Sequence, residues 1–245
     1  MFGHYTYLLI DLACIALPLI ASFEHRITFY KKWKWLLPAI FISYLFMIVW
    51  DHYFTVFGVW GFNHDFLLGI EIWGLPLEEH MFFFCIPYAY MFTYEALKQL
   101  VKQDYIGSSS LYISGLLAIG LPIIIYLHFN QLYTALTALC LEFLLIQHMY
   151  VFRSHKRYLG RFYFAFVVCL IPFFVLNGIL TSLPVVIYNN RENLGIRMGT
   201  IPIEDLFYGL FNLLLVVTIY ERLAKKRGDG ILGIEDDEGE QAEVK

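Results

Sequence analysis

Long apolar runs broken by short polar segments organise this chain. Seven such runs lie near residues 5–22, 36–55, 75–97, 111–128, 132–151, 161–181 and 201–222. Each approaches the roughly 20 residues that a helix needs to cross a hydrocarbon core about 30 Å thick. The pattern predicts an all-α, polytopic membrane protein with seven transmembrane helices.

The polar segments carry a second pattern. Seven spans place Arg26, Lys31, Lys32, Lys34, Lys98, Lys102, Arg153, Lys156, Arg157, Arg161, Arg222, Lys225, Lys226, Arg227 and Lys245 on one side, and only Arg191 and Arg197 on the other. The excess of basic residues marks the cytoplasmic face. The expected location is a cell membrane, crossed several times, with the N-terminus outside and the C-terminus in the cytoplasm.

A shift of 126 residues superimposes the chain on itself without a gap. It aligns Leu68-Gly69-Ile70 with Leu194-Gly195-Ile196, Pro76-Leu77-Glu78-Glu79 with Pro202-Ile203-Glu204-Asp205, and Tyr94-Glu95 with Tyr220-Glu221. The same shift pairs Tyr7 with Tyr133, Asp51 with Asn177 and Asn63 with Asn189. Helices 1–3 therefore repeat as helices 5–7, in parallel orientation because one helix joins them. The expected divisions are a first unit over 1–100, a linker with helix 4 over 101–130, a second unit over 131–223, and an acidic, Gly-rich, disordered cytoplasmic tail over 224–245.

Composition agrees with a membrane protein. Charged residues make up 16% of the chain, against about 25% in soluble domains. No basic patch suggests nucleic acid. Cys14, Cys85, Cys140 and Cys169 lie in apolar runs without C-x-x-C spacing and read as small core residues. The N-terminus lacks a basic region and a cleavage site, so the first run reads as a retained helix.

Ionisable residues in or beside spans are functional candidates. Here they are Asp51, His52, Glu78, Glu79, His80, Glu204 and Asp205, gathered at the outer ends of their helices with Asn177. A single Pro-x-Glu is an ordinary helix start, with an acid favoured by the helix dipole. Two copies, each with a second adjacent acid, exceed what a helix start needs. Neighbouring positions point about 100° apart, so one acid of each pair can face the bundle interior while the other faces the headgroups or another helix. His80 reads as a core histidine or a partner that orients a carboxyl. Trp50, Tyr53, Phe54, Trp60, Trp73, Phe82, Phe83 and Phe84 form either an interfacial belt or an aromatic pocket able to stabilise a cation. Of these Trp50, Tyr53, Trp73, Phe82 and Phe83, with Asn177, Phe207 and Tyr208, are the candidate substrate-lining residues.

No G-x-G-x-x-G follows a strand, no di-iron histidine cluster is present, and helix 7 holds no lysine for a retinal Schiff base. No cofactor and no metal are expected. What remains is acid–base chemistry on a molecule of the bilayer.

The segments Pro76-Leu-Glu-Glu-His-Met-Phe-Phe83 and Pro202-Ile-Glu-Asp-Leu-Phe207 resemble the lycopene cyclase domain, the membrane-embedded carotenoid cyclases whose two halves are separate polypeptides in some bacteria and joined elsewhere. The resemblance covers roughly residues 1–223 and has the joined form. It implies conversion of lycopene through γ-carotene to β-carotene without net redox change, and it points to Pro76, Glu78, Glu79, Pro202, Glu204 and Asp205. The implied class is an intramolecular lyase, with lycopene, other carotenoids and membrane lipids as partners; self-association and contacts with other carotenoid enzymes stay open. Alternatives are a cyclase of an elongated or otherwise modified carotenoid, a non-catalytic carotenoid or lipid carrier, a seven-helix receptor, and a proton-coupled transporter. Paired acids count against a carrier, and their place at one end of the bundle counts against a transporter.

Overall fold

In the computed structural model, which describes residues 3–225, the chain forms α1 (Thr6–Ala21), α2 (Trp33–Val56), α3 (Leu77–Leu100), α4 (Ser110–Leu127), α5 (Leu132–Ile146), α6 (Leu159–Ser182) and α7 (Ile203–Lys225). A π-helical turn, Gln147–Val151, continues α5. The seven apolar runs thus become seven helices among the described residues. The expected tail lies outside them from residue 226 onward.

Two helix starts differ from expectation in an instructive way. Residues 75–76 and 201–202 were expected in the third and seventh helices. They are instead the second strands of two small hairpins, β2 (Glu71–Ile72) with β3 (Leu75–Pro76) and β5 (Arg197–Met198) with β6 (Ile201–Pro202). Pro76 is the residue that caps α3, with φ −59° and ψ 146°. Proline disfavours a helical residue before it, and the strand supplies the extended approach. α2 starts earlier than expected, at Trp33, with Lys34 laying its ammonium over the Trp35 ring at 4.9 Å.

Six of the helices are long and apolar enough to cross a membrane. α3 is 24 residues long but more polar, carrying Glu78, Glu79, Glu95 and Lys98. Its polar groups are tolerated because it packs against α1, α2, α6 and α7 and pairs them inside the bundle. At the end away from the hairpins, Lys98 Nζ reaches Glu95 Oε1 at 2.7 Å and Glu221 Oε1 at 3.0 Å, and the Tyr94 hydroxyl donates to Glu221 Oε1 at 2.6 Å. These residues join the two units through the ends of α3 and α7.

The repeat appears atom by atom. Leu77 N–H donates to Ile70 O at 2.8 Å, and Ile203 N–H to Ile196 O at 3.0 Å. A third ladder, β1 (Trp60–Phe62) with β4 (Val186–Tyr188), crosses between the units and pairs Trp60 with Tyr188, Gly61 with Ile187 and Phe62 with Val186. Gly61 and Ile187 are equivalents under the 126-residue shift, and they face each other. An antiparallel ladder centred on such a pair has a local two-fold axis there. Asn63 N–H to Val185 O and Asn189 N–H to Val59 O, each 2.9 Å, extend the same symmetry.

The symmetry fails most clearly at α2 and α6. α2 packs closely on α3, while the equivalent α6 and α7 barely touch. Trp50 and Phe54 of α2 are buried in aromatic contact with Tyr208, Phe211, Trp60 and Tyr133. At the equivalent positions α6 has Leu176 and Leu180. Both leucines line a cavity, whereas Trp50 and Phe54 are packed in the core.

Candidate active site

A cavity of about 540 Å³ lies between α1, α3, α6 and α7, within the usual size range of ligand sites. On α3 it runs from Glu79 to Thr93, fourteen residues or roughly 21 Å of helix. Its walls are mostly apolar. Three carboxyl groups, Asp51, Glu79 and Asp205, line it together at the hairpin end, and all three are buried.

The acid pairs divide as their 100° offset requires. Glu78 Oε1 accepts the Leu68 N–H at 2.7 Å, and Glu204 Oε1 accepts the Leu194 N–H at 2.7 Å and the Thr134 hydroxyl at 2.7 Å. Both point away from the cavity and hold the loop before the hairpin. That loop turns at Gly69 and Gly195, with φ +81° and +71°, a conformation that glycine adopts without steric cost. Glu79 and Asp205 point into the cavity, and each meets a tyrosine. Tyr7 donates to Glu79 Oε2 and Tyr133 to Asp205 Oδ1, both at 2.6 Å. Tyr7 and Tyr133 stand in the first turns of α1 and α5, which brings the outer helices of each unit to its third.

The two halves are unequal. Asp205 Oδ2 also accepts from Tyr188 at 2.8 Å. Burial, with the charge of Asp205, pushes the Tyr188 hydroxyl well above its ordinary value, so it stays a donor. The equivalent residue beside Glu79 is Phe62, which has no hydroxyl. On α2, Asp51 lies close enough to Glu79 to interact with it electrostatically and takes a hydrogen bond from Trp60, while its Oδ2 accepts from no described residue. Its equivalent Asn177 donates to Phe173 O at 3.2 Å and lines the cavity from α6.

Rings surround the carboxyl end. Trp60 lies 5.1 Å from Tyr133, 5.9 Å from Tyr208 and 6.1 Å from Tyr188, centroid to centroid. Phe82 lines the cavity 6.3 Å from Tyr7. The ladder of β1 and β4 roofs this end, since Trp60, Phe62, Val186 and Tyr188 all face the cavity.

Of the other residues expected at the site, several stand outside the cavity. His80 makes no hydrogen bond to a carboxyl group among the described residues. Its Nε2 donates to Ile72 O and its Nδ1 meets the Tyr44 hydroxyl, both at 2.9 Å, so it fastens α3 to α2 and to the hairpin. Trp50 and Phe83 are packed in the core, and Phe207 packs against it. Tyr53 and Trp73 are half-exposed on the surface. Trp73, at φ +52°, stacks on His52 with centroids 4.1 Å apart.

Two residues, one lining the cavity and one behind its acids, escape sequence reasoning. Tyr188 lies in a loop strand, and its repeat partner is a phenylalanine, so the repeat gives no signal. Asp11 of α1 is fully buried, within electrostatic reach of Glu79 and Glu78, with neither oxygen bonded to a described residue. It stands inside an apolar run, where an acid is itself a signal. Tyr7 and Tyr133 were visible as a repeat pair, without a role. Among the described residues no three His, Cys, Asp or Glu side chains gather as metal ligands would.

One family model, described as lycopene cyclase, matches the chain twice, over residues 4–97 and 130–223. The two matches are offset by the same 126 residues as the internal repeat. No curated protein and no solved structure matches the chain.

Proposed function

Because this chain belongs to the lycopene cyclase family, and is therefore a membrane carotenoid cyclase, we propose that it is a lycopene β-cyclase that closes β rings by proton-initiated cyclisation. The observation that carries the proposal is the duplicated tyrosine–carboxylate pair facing a third acid at one end of an apolar cavity.

The chemistry asks for these groups. A proton added to the terminal double bond of an acyclic end gives a tertiary cation. The next double bond in reach attacks it, closing the ring and moving the positive charge into the ring. Loss of a proton from the adjacent ring carbon gives the β double bond, so one proton enters, one leaves and no electron is transferred. Asp51, with one oxygen unbonded and Glu79 beside it, is the donor. Asp205, both of whose oxygens accept from tyrosines, is the counter-charge and the acceptor. Trp60, Phe82 and Tyr208 offer ring faces to the cation, each contact worth about 0.5–2 kcal/mol. The strand roof keeps out water that would quench the cation to an alcohol.

Acids of both units line the same cavity, which supports closing the two rings in turn. Lycopene then passes through free γ-carotene, which turns end for end before the second closure. The basic residues support an N-terminus outside and a C-terminus in the cytoplasm; a reporter fused at the C-terminus and active outside the cell overturns that orientation.

The test is purified protein in detergent with lycopene and no added flavin or nicotinamide, run in heavy water. The expected result is γ-carotene followed by β-carotene, with one deuterium retained per ring. Unchanged lycopene, a different ring isomer, or rings without deuterium overturns the proposal.

A further inference from the structure

We infer that the carotenoid reaches the carboxyl groups sideways from the bilayer, through a portal between α1 and α6, and that during reaction its unreacted end stays in the hydrocarbon. The inference rests on the cyclase reading and adds how the substrate enters and lies.

The cavity has two ends of opposite character. The carboxyl end is roofed by the β1–β4 ladder. Farther along, its wall includes Leu17 of α1 and Ile171 and Val175 of α6, which are 74%, 74% and 56% exposed. A side chain that both lines a cavity and lies on the outer surface marks an opening. α1 and α6 are among the apolar spans, so this surface faces lipid. The two helices touch sparsely, whereas α1 packs extensively on α3. Each carries a proline at the opening, Pro18 and Pro172, and both line the cavity. A proline inside a helix removes a backbone hydrogen bond and bends it, which holds the two edges apart.

The occupant follows from shape and polarity. The path from portal to acids is long and apolar, with carboxyl groups only at its closed end. A stiff, linear hydrocarbon chain fits it end first, and the far end has no room inside. A polar or globular ligand would have to leave water, cross lipid and pass apolar edges.

The experiment plugs the portal from the lipid side. In a variant with Cys14, Cys85, Cys140 and Cys169 replaced by serine or alanine, Leu17→Cys or Ile171→Cys is labelled with a bulky, membrane-soluble methanethiosulfonate. The control is Leu116→Cys on α4, 74% exposed and off the cavity. Labelling at Leu17→Cys or Ile171→Cys should lower kcat/KM for lycopene at least tenfold, reductant should restore it, and the control should not change. Equal rates in labelled portal and control variants overturn the portal. If the cysteine-free protein is inactive, Leu17→Trp and Ile171→Trp against Leu116→Trp in the native background decide the matter by the same comparison. Should the unaltered protein fail to cyclise lycopene, the cyclase reading falls, and that result is distinct from active protein indifferent to the plug.

Discussion

The hydroxyl of Tyr7 and the carboxylate of Glu79 meet at 2.6 Å across 72 residues of chain. The bond carries the first helix of the unit to the third, and it orients a carboxylate at the end of an apolar cavity. Hydrogen bonds to charged groups are worth about 1.5–3 kcal/mol, or roughly 10–100-fold in rate where they act in the transition state. Tyr7→Phe and Tyr133→Phe should each lower kcat by roughly that factor. Tyr188→Phe, which makes the second half resemble the first, should cost about tenfold, at the low end of that range. Steady-state β-carotene formation measures all three. Unchanged kcat in all of them means the tyrosines only pack.

Within each acid pair the neighbours should separate by phenotype. Glu79→Gln and Asp205→Asn should lose roughly 10²–10⁴-fold in turnover with little change in Tm. Asp51→Asn should behave like them. Glu78→Gln and Glu204→Gln keep an oxygen for the loop N–H but lose its charge. They should lower Tm and leave turnover within a fewfold. Activity assays paired with thermal unfolding in detergent give both readings, and the opposite split would show that the loop acids do the chemistry.

Trp50 is packed in the core, whereas its repeat equivalent Leu176 lines the cavity. Trp50→Leu should destabilise the bundle by about 2–4 kcal/mol, as large-to-small core changes do, while KM for lycopene stays near its original value. A raised KM with unchanged Tm would return Trp50 to the substrate site.

Lys98 is the cation between two buried carboxylates at the other end of the bundle. Lys98→Met leaves Glu95 and Glu221 buried without that charge, which typically costs about 3–5 kcal/mol. Adding Glu95→Gln and Glu221→Gln should recover most of the lost Tm. Failure of the triple variant to recover would mean that the lysine stem, and not its charge, holds the ends of α3 and α7.

Apolar run length made the helices legible, six of them long and apolar enough to span, because hydrocarbon thickness sets the length of a span. The ungapped repeat determined the parallel units and placed an acid pair at the start of α3 and of α7. The hairpins were not legible, since strands of two residues carry no measurable alternation. Nor could the sequence say which acid of each pair faces inward: the offset is fixed by the helix, but its zero point is set by packing, by Leu68 and Leu194 offering their N–H groups to Glu78 and Glu204. Only the tertiary structure decided that a cavity opens where α6 faces α1 and α3, while α2 packs tightly on α7. Trp50 and Phe54 against Leu176 and Leu180 look like ordinary apolar exchanges in a list of letters. Across a helix interface their difference in volume separates a packed core from a cavity, because close-packed interiors do not spread a missing ring over many contacts.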